Sequence, residues 1–426
     1  MKILLVNKFL YPNGGSETYL FETGKQLERM GHEVQYFGME HKGRIVGNHA
    51  ESYTSDMDFH SGKLIKLTYP FRIIYSVEAR KKIRRVLDDF QPDVVHLNNF
   101  NFQLTPSILM EIEAYRKQSD RGVRILYTAH DYQLVCPNHM MRIPLSGKNC
   151  ECCLEKGFWQ CTTHRCIHNS RLRSVLGSVE SNLYHWLGTY RYLDSLICPS
   201  RFMKEKLDHN PLFSGKTVVM HNFVENRRRE ADSGQDSSGL LKTKKENAGK
   251  KFELNGEERK YVLYFGRFAE EKGVRTLLKA CRKLPEIPFI FAGSGPLEAE
   301  VEGIKNVTNL GFQRGDALKQ LVSGAAFSVY PSEWYENCPF SVMESISLGT
   351  PVIGADIGGI PELVEQGQTG ELFASGDMDE LCDKIGKLWA DKKVLSKYTE
   401  NCVKKDFDTV EKYCEKLVQL YSDCLL

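Results

Sequence analysis

The sequence contains no long hydrophobic run and carries almost no net charge. No apolar stretch reaches the roughly 18 residues that a membrane-spanning helix needs, so we expect no transmembrane segment. The formal net charge of +2 gives no global reason to expect a nucleic-acid partner. With 41% hydrophobic residues, the composition is typical of an ordinary soluble protein.

The start of the chain also lacks the features of a secretion signal. The apolar segment 3–6 is too short for a signal peptide, and it predicts a first buried strand. Thirteen cysteines without a signal peptide indicate a reducing compartment and argue against a disulfide framework. We therefore expect a cytoplasmic protein.

The length of 426 residues predicts two to three domains. Strands alternate with helical patterns in two blocks, which predicts parallel sheets covered by helices on both faces. The predicted strands are 3–6, 32–37, 93–97, 124–128, 195–198 and 217–220, then 261–265, 288–292, 326–330 and 351–354. Residues 225–260 are polar and rich in Ser and Gly, and we interpret them as a partly disordered linker. The fold class is therefore α/β, with Rossmann-like domains at 1–224 and 261–405 and parallel sheets facing a central cleft.

Two carboxylates in the second domain form the most informative motif. Glu336 and Glu344 are separated by seven residues, and the loop Gly-Gly-Ile-Pro-Glu follows at 358–362. This spacing places both acids on one face of a helix, or one on the loop entering it and one further along. Because the amides at a helix start favour anions, phosphate can bind nearby. The alternative is a surface helix with two solvated glutamates.

Two cations and several glycines follow other strands of this domain. Gly266 allows close backbone approach, while Arg267 and Lys272 can bind a diphosphate, Arg in bidentate fashion and Lys as a point charge. Solvated surface charges are the alternative. Gly293 and Gly295 end the strand 288–292, where a generic turn would also explain them.

These motifs resemble glycosyltransferase family 4, whose members are retaining enzymes with the GT-B fold. The resemblance covers nearly the whole chain and is strongest at 261–373. It implies transfer of a sugar from a UDP- or GDP-type nucleotide-diphosphate sugar to a glycan or lipid-linked acceptor, in the assembly of cell-surface polysaccharide or glycolipid. It also implies that a last helix within 406–426 crosses back to the first domain.

The resemblance further implies roles for individual residues. Arg267 and Lys272 would neutralise the leaving diphosphate, Glu336 would hold sugar hydroxyls, and Glu344 would hold the ribose hydroxyls. The donor-binding residues are Gly14, Gly15, Gly266, Gly293, Gly295, Asn337, Cys338, Pro339, Phe340 and Glu344. Since no Asp-x-Asp motif lies near this site, we expect no catalytic metal.

Two segments of the first domain are predicted to take part. Gly14 and Gly15 precede the first helix, where backbone amides can approach a phosphate or sugar, although a plain turn is the alternative. His130 and Asp131 end the strand 124–128, the edge at which such sheets present ligand groups. The resemblance places His130 near the transferred sugar and has the first domain complete the site on closure.

A cysteine-rich insert spans residues 136–166. Cys150, Cys153, Cys161 and Cys166 could form a tetrahedral structural zinc site, and Cys136 could replace one of them. Three histidines are further alternatives as ligands: His139, His164 and His168. The other interpretation is a set of reduced, buried thiols.

Two groups of basic residues could bind an anionic membrane surface. Arg80 to Arg85 form one cluster, and Arg165, Arg171 and Arg173 precede several aromatic residues, including Trp186. Since family members often dock on anionic bilayers, these residues predict peripheral binding at the inner face of the plasma membrane, or else a solvated helix face. Two other functions stay open: a GT-B-fold sugar-nucleotide epimerase and a non-catalytic nucleotide-sugar-binding subunit.

Overall fold

The computed structural model describes residues 1–55, 73–119, 122–225, 252–254 and 257–422. The chain separates into two compact units, one formed by Met1–His221 with Val410–Leu426, the other by Asn222–Thr409. Most of the predicted linker lies outside the described residues. Its described part contains a short antiparallel hairpin, formed by β9 (Phe252–Leu254) and β10 (Glu257–Arg259).

The first unit is built on a six-stranded sheet in which every pair is parallel, with the order β2-β1-β3-β4-β7-β8. Its strands are β1 (Lys2–Val6), β2 (Glu33–Phe37), β3 (Val94–Leu97), β4 (Arg124–Thr128), β7 (Ser195–Cys198) and β8 (Thr217–Val219). Its helices are α1 (Gly15–Arg29), α2 (Val77–Phe90), α3 (Ser107–Gln118), α4 (Cys152–Lys156), α5 (Trp159–Thr163), α6 (Arg171–Trp186) and α7 (Arg201–Asp208). A second small hairpin, β5 (Arg142–Ile143) with β6 (Lys148–Asn149), lies in the cysteine-rich insert.

The second unit repeats this architecture, with the strand order β13-β12-β11-β14-β15-β16 and parallel pairing throughout. Its strands are β11 (Val262–Phe265), β12 (Phe289–Ala292), β13 (Val307–Asn309), β14 (Phe327–Tyr330), β15 (Val352–Ala355) and β16 (Gly370–Phe373). Its helices are α8 (Val274–Lys283), α9 (Glu298–Val301), α10 (Gly315–Gly324), α11 (Phe340–Ser347), α12 (Ile360–Leu363), α13 (Met378–Ala390) and α14 (Lys392–Lys404).

Apolar burial explains why these segments form parallel sheets. The central strands are buried along their whole length, as in β11, β12, β14 and β15. Strands covered on both faces have near-continuous apolar sequences, and this is the pattern from which the α/β class was predicted. The α/β prediction is confirmed. None of the helices in the described part of the chain is long and apolar enough to cross a membrane.

The C-terminal helix α15 (Val410–Ser422) belongs to the first unit. Its tyrosines join a buried hydrogen-bond chain: Tyr413 Oη lies 2.9 Å from Tyr19 Oη, and Tyr421 Oη lies 2.7 Å from His96 Nδ1. Thr128 Oγ1 connects the two branches, at 3.2 Å from Tyr19 Oη and 2.7 Å from His96 Nε2. The helix is therefore held by polar contacts as well as by apolar packing.

Replacing Tyr421 by Phe should lower the free energy of unfolding by about 1–2 kcal/mol, because His96 Nδ1 would lose its partner in a buried position. Denaturant unfolding followed by circular dichroism would measure this loss. Gln419→Ala, at an exposed position of the same helix, is the control and should leave stability unchanged. Equal stability of both variants would show that the hydrogen bond contributes nothing.

Candidate functional site

The strand order of the second unit brings three loops together. Because β11 lies between β12 and β14, and β15 follows β14, the loops after β11, β14 and β15 emerge side by side at one edge of the sheet. Ligands of α/β sheets bind at this carboxyl edge. The loop after β11 carries Arg267 and Lys272, and the loop after β14 carries Glu336.

A cavity of about 220 Å³ opens between these loops. Its lining consists of Tyr264, Phe265, Gly266, Arg267, Lys272, Tyr330, Pro331, Ser332, Glu336, Pro339, Ser341 and Ile360. Five of the predicted site residues are among them: Gly266, Arg267, Lys272, Glu336 and Pro339. Sequence reasoning missed Ser332 and Ser341, although both lie in the motif around Glu336 and carry hydroxyl groups.

An ion pair occupies the centre of this lining. Lys272 Nζ donates a hydrogen bond to Glu336 Oε1 at 2.6 Å, and Ser332 Oγ donates to the same oxygen at 2.7 Å. Burial alone would raise the pKa of Glu336, but the charge of Lys272 and the hydrogen bonds to the carboxylate, including that of Ser332, together hold the pKa below its ordinary value. The Glu336 carboxylate is therefore charged at neutral pH in a nearly dry position, only 7% exposed.

The backbone of Glu336 is fixed by the loop after β15. Gly359 N donates to Glu336 O at 2.7 Å. Gly358 has a φ of +59°, and a Cβ there would lie 2.2 Å from the same carbonyl oxygen, so no other residue fits. Gly358 is thus required for packing, since it lets the two loops meet at van der Waals distance.

Glu344 lies apart from the cavity lining, in the second turn of α11. Of the two placements predicted for the glutamate pair, the structure has Glu336 on the entering loop and Glu344 on the helix. Burial, and then the charge of Glu225, raise the pKa of Glu344 to about 7, while Lys319 opposes them. Among the described residues, none donates a hydrogen bond to its carboxylate.

Several other predicted donor-binding residues are not part of the cavity lining. They are Gly293, Gly295, Asn337, Cys338 and Phe340. The Cys338 side chain is buried, and Asn222 Nδ2 donates to its carbonyl at 2.7 Å. A Cβ on Gly293 would lie 1.9 Å from Gly266 O, so this glycine is required for packing against the Gly266 loop. Contact between these five residues and a sugar donor stays a prediction.

His130 lies at the end of β4 in the first unit. Its Nε2 lies 2.8 Å from Asn98 Oδ1, an acceptor, so the neutral ring carries its proton on Nε2. Burial lowers the pKa of His130 to about 4, although Asp131 opposes this. The ring of Tyr19, anchored by the hydrogen-bond chain of α15, lies edge-on to it with centroids 4.9 Å apart. His130 is therefore a neutral side chain whose Nδ1 can accept a hydrogen bond.

Gly14 and Gly15 form an exposed turn at the start of α1. Behind them lies Glu17, a buried carboxylate that sequence reasoning did not select. Its Oε1 accepts hydrogen bonds from Asn7 Nδ2 and Ser16 Oγ, both at 3.0 Å. The signal was present, since Glu17 directly follows the Gly-Gly-Ser segment in the sequence.

The cysteines of the insert are free thiols. Cys136, Cys161 and Cys166 are buried, and Cys150 and Cys153 are half-buried. Among the residues that the structure describes, no group of three or more His, Cys, Asp or Glu side chains could hold a metal ion. Burial also raises the pKa of Cys136 to about 12. The zinc site stays a prediction, and reduced, buried thiols stay the alternative.

The basic cluster 80–85 lies on α2 and is partly neutralised. Arg80 Nη2 lies 2.6 Å from Glu111, and Arg84 Nε lies 2.8 Å from Asp88. Ile83 faces the core. This helix therefore presents fewer unpaired cations than its sequence suggests.

Two family models match the chain. The model of glycosyltransferase family 4 matches residues 13–228, and the model of group 1 glycosyl transferases matches residues 245–405. Among curated proteins, the sulfoquinovosyl transferase SQD2 of Arabidopsis thaliana is 36% identical over 146 residues. This match covers 32% of the present chain and 28% of the plant protein, so it spans less than a third of that relative.

Solved structures match over the whole chain. A sucrose-phosphate synthase from Thermosynechococcus elongatus has a TM-score of 0.65 and 18% identity, covering 99% of this chain and 98% of that one. The Anabaena protein HepE in complex with UDP has a TM-score of 0.64 and 18% identity, covering 99% of this chain and 100% of that one. At this identity the likeness concerns the fold, and the GT-B prediction is confirmed.

Replacing Lys272 by Met should destabilise the protein by about 2 kcal/mol at pH 7, because the Glu336 charge would be left buried without its partner. The pKa of Glu336 is lowered in the folded state, so its contribution is present above the unfolded pKa of about 4.3 and is lost as the pH falls through the lowered value. The destabilisation should therefore shrink at pH 4. Denaturant unfolding at both pH values measures it.

Arg267→Met is the matched control. Its side chain is 66% exposed and lies 4.0 Å from Glu271, so its removal should cost less than about 0.5 kcal/mol. Adding Glu336→Gln to Lys272→Met should recover stability. An equal loss in Lys272→Met at both pH values would contradict the assignment of the ion pair.

Proposed function

The chain belongs to glycosyltransferase family 4, and we propose that it transfers a sugar from a nucleotide-diphosphate sugar to a glycan or lipid-linked acceptor with retention of configuration. The observation that carries this proposal is the cavity of the second unit, where Arg267, Lys272 and Glu336 meet at the carboxyl edge of a parallel sheet. Cations and a carboxylate in one cavity suit a ligand that has both a diphosphate and hydroxyl groups.

The two residues of the ion pair would have different roles in donor binding. Lys272 Nζ lies 2.6 Å from Glu336 and is only partly exposed, so it is held in place at the cavity wall. A diphosphate would compete with Glu336 for this cation, while the exposed guanidinium of Arg267 could reach the phosphate oxygens without breaking a strong contact. Both cations would stabilise charge on the leaving nucleoside diphosphate.

The carboxylates would then bind hydroxyl groups. Glu336 is kept ionised, so it can accept hydrogen bonds from sugar hydroxyls once Lys272 turns to the diphosphate. Glu344, one turn beyond the start of α11, would accept from the ribose hydroxyls. The amides at the start of α11 are a further place for phosphate oxygens. In the first unit, His130 could accept from a sugar hydroxyl through Nδ1.

A screen of nucleotide-sugar donors tests this proposal. Purified protein would be incubated with UDP-, GDP- and ADP-sugars, with and without a membrane lipid extract, and the released nucleoside diphosphate recorded. We expect release with one donor, increased by the lipid. A donor converted to its epimer without acceptor, or bound without turnover, would instead support the epimerase or the binding subunit.

Arg267→Ala should lower the turnover number by about 100-fold, because a cation that faces the leaving group is lost from a preorganised site. The exposed position of Arg267 makes misfolding an inadequate explanation for this loss. Arg275→Ala removes a cation of α8 that pairs with Glu300 of α9, outside the cavity lining, and should leave turnover unchanged. Equal rates for the two variants would contradict the donor site.

Nucleotide binding should depend on the ionisation of Glu344. Its pKa is raised to about 7, and hydroxyl donors bind the carboxylate more strongly than the neutral acid, so binding is favoured by loss of a proton below that pH. Calorimetric affinity for the nucleoside diphosphate should fall about tenfold from pH 8 to pH 6. The variant Glu344→Gln should bind more weakly at pH 8 and lose the excess pH dependence. If both proteins follow the same pH profile, the ribose assignment is wrong.

A further inference from the structure

The side chain of Asn98 is completely buried beside His130. Asn98 directly follows β3, and His130 follows the neighbouring strand β4, so both residues lie at the carboxyl edge of the first sheet. Asn98 has no exposed surface, whereas His130 is half-buried. A ligand at this edge can therefore contact His130 but cannot contact the amide behind it.

The backbone of β1 fixes which end of the Asn98 amide faces His130. Asn98 N donates to Val6 O at 2.8 Å, and Asn98 Nδ2 lies 3.5 Å from the same carbonyl oxygen. A carbonyl oxygen only accepts hydrogen bonds, so the NH2 group of the amide turns to Val6 and Oδ1 turns to the imidazole. His130 Nε2 then donates to Asn98 Oδ1 at 2.8 Å, and Nδ1 is left as the acceptor of the neutral ring.

The titratable groups placed against His130 do not charge its ring. They are Tyr19 on α1, His96 on β3 and Asp131 on the same loop. Burial lowers the pKa of His96 to about 3, and both of its nitrogens are engaged in the hydrogen-bond chain of α15. Asp131 favours the imidazolium, but its Oδ2 lies 3.4 Å from His139 Nδ1 and so has another partner. Burial outweighs Asp131, and His130 stays neutral.

We propose that Asn98 is a positioning residue that makes His130 a hydrogen-bond acceptor for a sugar hydroxyl, and not a general base. This inference rests on the proposed transfer reaction, because the hydroxyl belongs to its sugar substrate. Asn98 itself touches no substrate. It acts by holding the proton of His130 on Nε2, which keeps the lone pair of Nδ1 free for the ligand.

The neutrality of Asn98 is the feature that separates these two roles. An aspartate at this position would have almost the same shape, but its charge would stabilise an imidazolium as in an Asp–His dyad. Nδ1 of a charged ring donates a hydrogen bond and can no longer accept one. If Asn98 served only to tie the loop after β3 to β1, replacing it would change stability and leave the proton of His130 where it is.

The protonation of His130 can be measured without any donor. Nitrogen-15 NMR of the full chain labelled in histidine reports the charge and tautomer of each ring, and His130→Gln identifies the signals of His130. We expect a neutral ring with its proton on Nε2 from about pH 5.5 to pH 8. A charged ring, or a proton on Nδ1, at neutral pH would overturn the proposal.

Asn98→Asp should raise the pKa of His130 from about 4 to about 7, because it places a negative charge beside Nε2. Above the raised pKa the ring is neutral, as in the unchanged protein, and below it the ring is an imidazolium. At saturating donor, the turnover number of this variant should therefore fall about tenfold from pH 8 to pH 6, beyond any fall in the unchanged protein. Asn169→Asp is the matched control, since it makes the same charge change at an exposed position of the same unit and should follow the unchanged protein.

Asn98→Ala removes the acceptor without adding charge. It should let the proton appear on Nδ1 and lower turnover about tenfold at every pH, because part of the rings would present the wrong nitrogen. Circular dichroism would verify that both variants are folded. An unchanged His130 titration in Asn98→Asp, or an unchanged tautomer with full turnover in Asn98→Ala, would contradict the role of Asn98. The NMR result stands whether or not a donor is cleaved, so a failure of the transfer reaction is distinguished from a failure of this inference.

Discussion

The ion pair between Lys272 and Glu336 joins loops that are distant in sequence, and it can form only because the strands are ordered as they are. Parallel strands β11, β14 and β15 are neighbours, so their loops share one edge of the sheet. A buried carboxylate costs several kcal/mol unless a cation and hydrogen-bond donors compensate it. Lys272 and Ser332 supply that compensation, and Gly358 lets the third loop close over the Glu336 backbone.

The short apolar runs of the sequence were enough to predict most strands of the two parallel sheets. Every predicted strand corresponds to a strand of the structure within about one residue at most ends, because buried parallel strands are short apolar runs. In the two parallel sheets, the missed strands were β13, with the sequence Val-Thr-Asn, and β16, with Gly-Glu-Leu-Phe, since neither is a continuous apolar run. The short hairpin strands β5, β6, β9 and β10 were missed as well. The pairing of Lys272 with Glu336 could not be predicted, because it depends on strand order and spans 64 residues.

In helix α6, the apolar periodicity of the sequence does not identify the buried face of the helix. Its apolar residues recur at helical spacing, which normally indicates a face turned to the core. Here Ser178 on the opposite face donates a hydrogen bond to the backbone carbonyl of Phe158, and Ser174 accepts one from the backbone amide of Ile167. Which face of an amphipathic helix is buried is therefore decided by the hydrogen-bond groups of the segment that packs on it. The insert is rich in cysteine, but the described hydrogen bonds that hold α6 against this region are made by the serines of the helix.

Glu336 and Glu344 illustrate how environment separates two identical side chains. Both lose hydration on folding, which by itself raises a carboxyl pKa. For Glu336, the cation at 2.6 Å and the Ser332 hydroxyl reverse that effect. For Glu344, the negative charge of Glu225 adds to it, and Lys319 is engaged with Glu225 at 2.7 Å. Glu336 is thus a fixed charge, whereas Glu344 exchanges its proton near neutral pH. A motif of two glutamates therefore encodes two acids of different strength, and the difference comes from residues outside the motif.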